Sequence, residues 1–121
     1  MHVIRAAEGE TVERTGEPIF DGQVWLRSLT SRETGSELIS GFVQFAAGAR
    51  TKLHTHTGDQ VLYVVSGIGK VGTRDEEHVI ATGDAAVIPA GEPHWHGAGD
   101  TGSPMVHFMF QRSDSTTEVL G

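Results

Sequence analysis

At 121 residues with a formal charge of −7, the chain is long enough for one hydrophobic core but carries no basic face to meet a phosphate backbone. It contains no cysteine, which excludes disulfide staples, thiolate zinc sites and cysteine nucleophiles. No apolar stretch of signal-peptide length opens the chain, and its longest apolar run, residues 61–65, is far short of a bilayer span, so a cytoplasmic protein without nucleic-acid or membrane partners is expected.

Residues 1–18 are polar and read as an extended arm. After them, short β-branched and aromatic runs alternate with Gly-, Pro-, Asp- and Ser-bearing turns. The candidate strands are 23–29, 38–45, 61–65, 68–74, 77–80, 85–88, 94–96 and 105–111. Turns fall at 31–36, 57–59, 75–76, 82–84, 89–93 and 97–104, and residues 113–121 read as a loose polar tail. No window has helical periodicity. The expectation is an all-β barrel or sandwich in a single domain, residues 1–121, with its core over about residues 20–111.

Side chains two apart on an extended chain share a face, so His54 and His56 can aim both imidazoles at one point. Gln60 adds an oxygen donor at the start of the next strand, and His94 a third imidazole further along. Neutral imidazole suits zinc, copper, iron and nickel; an amide oxygen widens the choice toward manganese. Parity sets Leu62 and Val64 on the face of Gln60, with Val61, Tyr63 and Val65 opposite. It likewise sets His107, Met109 and Gln111 against Val106, Phe108 and Phe110, and separates Gly41 and Val43 from Phe42 and Gln44. His96 shares the face of His94, and Trp95 should pack on the other side. His2 and His78 are expected to be solvated, and Thr51, Lys52 and Asp59 to be surface or turn residues.

The spacing is specific. Gly48 is followed after five residues by His54, after one by His56, after three by Gln60 and after six by Gly67. Fifteen residues separate Gly67 from Gly83, after which come five to Pro89, one to Gly91 and two to His94. These segments resemble the two motifs of the cupin superfamily, which implies a double-stranded β-helix, or jelly-roll, barrel. Two positions depart from the usual pattern: Gln60 stands where glutamate is common, and Ala98 where asparagine is common. An amide in place of a carboxylate leaves the full metal charge uncancelled and makes the ion a stronger Lewis acid.

GFVQFAAGARTKLHTH, HWHG and VHFMFQ further resemble a bacterial cupin subgroup that includes manganese-dependent hydroxynitrile lyases. That resemblance implies one divalent first-row metal, manganese foremost with iron, nickel and zinc as alternatives, held by His54, His56, Gln60 and His94. It places Gly41, Val43, Leu62 and Met109 around a small-molecule substrate, with His107, His96 and Gln111 as catalytic groups. The implied activity is a lyase on a small cyanohydrin-like molecule. A cupin dioxygenase for diketones or enols is the alternative, followed by a sugar-modifying cupin and a non-enzymatic metal-binding module. The exposed parity of Phe42, Tyr63 and Phe108, with an arm free to add a strand to a neighbour, suggests a homo-oligomer, a dimer or tetramer.

Overall fold

The computed structural model describes residues 1–121. Twelve strands run in chain order: β1 (Val12–Glu13), β2 (Phe20–Asp21), β3 (Val24–Thr30), β4 (Leu38–Phe45), β5 (Arg50–Thr51), β6 (His54–His56), β7 (Gln60–Gly72), β8 (Glu77–Ala81), β9 (Ala85–Ile88), β10 (Trp95–Gly97), β11 (Met105–Arg112) and β12 (Thr117–Val119). A single 3₁₀ turn, Gly99–Thr101, is the only helical element. Ten strands form one curled antiparallel sheet in the order β1-β3-β4-β11-β7-β10-β5-β2, with β8 and β9 both paired to β7. β12 and β6 form a separate two-stranded sheet. This is the jelly-roll barrel expected from the sequence.

The long strand β7 curls the sheet. Its first half pairs with β11 and β9, its second half with β8 and β10. The alternation of apolar residues suggested two strands here, 61–65 and 68–74; the chain instead runs through without a turn. The register against β11 slips between Val106 and His107, leaving Val65 as the extra residue of a bulge. Gln60, Leu62 and Val64 point inward before the bulge, Val65 is exposed, and Gly69 is buried beyond it. The inward set thus changes from even to odd positions. At the bend Gly67 has φ +83°, and a Cβ there would collide with the Pro104 carbonyl.

Val24, Val43, Phe45, Ala49, Val64, Ile80, Ala98 and Met105 form the buried cluster inside the barrel. Complete burial of Phe45 removes a large apolar surface from water, which contributes about 2–3 kcal/mol. Gly41 lies at a close approach of two strands: a Cβ would stand 2.7 Å from the Arg27 carbonyl oxygen. The neighbouring register shift between Ser28 and Thr30 accompanies that approach.

Both ends of the chain differ from the reading of a free arm and a loose tail. β1 within the arm pairs with β3, and Arg27 donates to the Arg5 and Glu8 carbonyls. At the other end β12 pairs with β6, and Arg32 donates to the carbonyls of Ser113 and Ser115. Buried backbone groups must be paired somewhere, and the short strand β6 finds its partner in the chain terminus.

Candidate metal centre

Two strands and two turns bring the imidazoles together. His54 and His94 face each other across an antiparallel bridge in which each backbone N–H donates to the other's carbonyl, at 2.9 and 3.0 Å. The turn before β10 is tied to the turn after β6. Gly91 N–H donates to the His56 carbonyl at 2.8 Å, and Ala90 N–H to Asp59 Oδ1 at 2.8 Å. Ring centroids of His54 and His94 are 4.3 Å apart, those of His54 and His56 4.9 Å, and those of His56 and His94 5.3 Å. Within this cluster the three ligand atoms lie within 4.8 Å of one another, so His54, His56 and His94 form a site that can hold a metal ion.

The outer nitrogens show which atoms are free to bind. His54 Nδ1 donates to the Lys52 carbonyl at 2.7 Å and His94 Nδ1 to the Glu92 carbonyl at 2.9 Å, each two residues back along the chain. A carbonyl can only accept, so both Nδ1 atoms carry the proton and both Nε2 atoms a lone pair. His56 Nδ1 lies 2.8 Å from Thr117 Oγ1. His54 Nε2 and His56 Nε2 are buried without any hydrogen-bond partner.

Gln60 lies beside the group. Its Nε2 donates to Gln111 Oε1 at 3.0 Å, which turns its own Oε1 toward His94 Nε2 at 3.3 Å. Two lone pairs then face each other with no proton between them. Buried polar atoms are normally paired, so inward lone pairs without donors fit a divalent cation. Burial is the main cause holding the ligands neutral: His54 is pushed down to about 3 and His56 to about 4, with His94 also lowered. Metal binding at neutral pH then displaces no proton from the imidazoles.

The remaining residues expected in the pocket fall in cross-strand rows on the same inward face. Val43, His107 and Val64 form one row, Gly41, Met109 and Leu62 the next, and Ile39, Gln111 and Gln60 a third. His107 and Leu62 are fully buried, Val43, His96 and Gln111 nearly so, and Met109 half-buried. Gly41 is held to glycine by the β3 backbone, a demand separate from any ligand. His107 Nε2 and His96 Nδ1 share a hydrogen bond of 2.9 Å, and His96 stacks near-parallel on His94 with centroids 5.7 Å apart. Burial lowers His107 to about 4 and takes His96 well below its ordinary value, with each other's proximity adding to the effect on His96. His107 Nδ1 is buried and unpartnered.

Two side chains play parts that the sequence reading did not assign. Thr51, expected at the surface, is 1% exposed, and its Oγ1 accepts from the His96 backbone N–H at 3.1 Å. Thr117 is the partner of His56, and a run of β-formers at 116, 117 and 119 was the only hint of it. As expected, Trp95 packs outward from the shell, with the Arg50 guanidinium 3.6 Å from its ring centroid, and His78 is solvent-exposed. A hollow lined by Val71, Ile80, Ile88 and His94 reaches the shell from the β8–β9 side, and a polar one lined by Ile39, Arg32 and Thr117 reaches Gln111.

The chain matches the cupin domain family over residues 41–110, more than half its length, and it belongs to that family. Among curated proteins it is similar to an (R)-mandelonitrile lyase of Granulicella tundricola, 37% identical over 95 residues, covering 76% of this chain and 70% of that one. Among solved structures it is similar to a cupin-like protein of Thermotoga maritima, 32% identical with a TM-score of 0.85, covering 93% of this chain and 86% of the other. A polyketide cyclase from Streptomyces resistomycificus shares the fold at 18% identity and a TM-score of 0.83, over 100% of this chain and 86% of the cyclase. No helix is long and apolar enough to cross a membrane.

Proposed function

We propose that this cupin is a metal-dependent lyase that cleaves a small cyanohydrin-like substrate into a carbonyl compound and hydrogen cyanide. The observation that carries the reading is the buried His96–His107 pair beside three imidazoles whose lone pairs converge. One divalent first-row ion, manganese foremost, would polarise the substrate hydroxyl there. The likeness to a protein named (R)-mandelonitrile lyase supports this direction.

The rest of the chemistry falls to the protein. Cleavage requires that the hydroxyl proton leave, that the C–O bond become a carbonyl, and that the C–CN electron pair depart with cyanide. Both members of the His96–His107 pair are held neutral by burial, so one proton is shared between them and a lone pair remains to take another. The proton taken from the hydroxyl can then pass to the departing cyanide in the same turnover. The Gln111 carbonyl is committed to Gln60, which leaves its amide N–H groups for the departing anion. The buried Val43 and Leu62 and the half-buried Met109 would supply the apolar side of a small substrate site. Neither Arg nor Lys is buried, which argues against a uronate pocket needing a carboxylate partner.

The test is a paired screen of metal-loaded protein: cyanide release from small aromatic and aliphatic cyanohydrins, and oxygen uptake with diketones and enols. Cyanide release without oxygen consumption supports the lyase. Oxygen uptake on an enol, with no cyanide release from any cyanohydrin, overturns it in favour of a dioxygenase.

A further inference from the structure

The three imidazoles of the shell are not held in the same way. His54 and His94 each donate Nδ1–H to a backbone carbonyl two residues back, at 2.7 and 2.9 Å. Those partners come with the strand itself, and no substitution removes them. His56 has a side-chain partner instead, Thr117 Oγ1 at 2.8 Å, sixty-one residues away on the C-terminal strand. A hydroxyl can accept from Nδ1–H or donate to a bare Nδ1, so it permits either imidazole tautomer. Only the first leaves Nε2 with a lone pair for a metal.

The C-terminal segment is docked as if for this contact. β12 pairs with β6 in the register Thr117↔His56, Glu118↔Thr55 and Val119↔His54. Thr57 N–H donates to the Thr116 carbonyl at 3.0 Å, and Thr116 N–H donates back to Thr57 Oγ1 at 2.9 Å. Gly58 N–H donates to the buried Ser115 hydroxyl at 3.2 Å, and Leu120 N–H to the Leu53 carbonyl at 2.8 Å. Arg32 fixes the segment from the other side through the Ser113 and Ser115 carbonyls. Hydrogen bonds thus flank Thr117 on both sides and hold its hydroxyl against the ring. The inner nitrogen of His56 is meanwhile buried with no hydrogen-bond partner, so a proton is better placed on Nδ1, where Thr117 Oγ1 can accept it.

We propose that Thr117 is a positioning residue that sets His56 in its metal-ligating tautomer, and that the C-terminal strand is thereby part of the metal centre. This rests on the metal-binding reading above. Outer partners of ligating histidines fix tautomer and ring orientation, and their loss costs about 10–100-fold in metal affinity. Thr117, like the rest of its short strand, is exposed to solvent, so water replaces the hydroxyl in part and the loss falls near the lower end, about 10-fold.

Thr117→Val keeps the shape and β-branching but removes the hydroxyl, while Thr117→Ser restores it. Long-range ¹H–¹⁵N correlation spectra of metal-free protein with labelled histidines read the tautomers directly. Zinc titration against a competing chelator reads affinity, and far-UV circular dichroism checks the fold. Wild type and Thr117→Ser should show His56 protonated on Nδ1, while Thr117→Val shows a shift toward Nε2–H and zinc binding weaker by about 10-fold. If the valine does not pack, Thr117→Ala supplies the same comparison. An unchanged His56 tautomer and unchanged affinity in the hydroxyl-free variant overturn the proposal and leave the metal site standing. Failure of wild type to bind zinc or manganese would instead remove the metal reading, and the tautomer spectra would still decide the role of Thr117.

Discussion

Lowering the pH of metal-free protein from 7 to 5 should destabilise it sharply. Burial depresses His54 to about 3 and His56 and His107 to about 4, from 6.5 in the unfolded chain. The unfolded state therefore binds more protons than the folded one throughout the window between about 6.5 and 4. Stability is present in full above pH 6.5, falls as the pH drops through that window, and levels off below it for these groups. Each histidine accounts for about 2 kcal/mol between pH 7 and pH 5, and the three together for about 6 kcal/mol. His94 and His96 are shifted in the same direction and deepen the loss. The lowered carboxyls, Glu33, Asp100 and Asp114, are shifted away from this window. A loss of 6 kcal/mol compares with a typical total of about 5–15 kcal/mol, and in urea it corresponds to a midpoint shift of about 3 M. Urea denaturation of chelator-treated protein, followed by fluorescence of Trp25 and Trp95 at several pH values, measures it. A midpoint that moves by less than about 0.5 M between pH 7 and pH 5 would refute the burial of neutral imidazoles.

Gln60→Glu should retain the metal, because a carboxylate also ligates, yet lower cyanide release more than occupancy; equal losses in both would contradict the Lewis-acid argument. His107→Ala should keep fold and metal while losing about 100-fold or more in turnover, with His96→Ala as the matched comparison. Full turnover in both variants would mean that neither ring moves the substrate proton. We further propose a homodimer through the outer face that presents Tyr63, Val65, Val87 and Phe110 to solvent beside the tilted ring pair of Phe42 and Phe108. Light scattering at micromolar concentration should give twice the 13.0 kDa chain mass, and a value near one chain would exclude it.

Parity made the inward face readable from sequence: Gly41, Val43, Gln60, Leu62, His107, Met109 and Gln111 fall in facing rows because a strand has a strict period of two. That His54 and His94 converge was legible through the resemblance of the two Gly-framed segments to the cupin motifs. The bulge at Val65 was not readable, because an extra residue changes parity without changing composition. Nor was the partner of β6. Its docking strand is three exposed residues long and shows no alternation, so only the tertiary need of an unpaired ladder identifies it. The carbonyls of Lys52 and Glu92 that orient two imidazoles are invisible for a simpler reason: every residue has one, and only the backbone path selects which is used.

The central claim is that His54, His56, Gln60 and His94 hold one metal ion, and elemental analysis tests it most directly. Protein purified without added metal, then reloaded with manganese and desalted, should carry one ion per chain. His54→Ala and His94→Ala should each lose it while keeping a β-sheet circular dichroism spectrum. Metal content unchanged in both single variants would contradict the account.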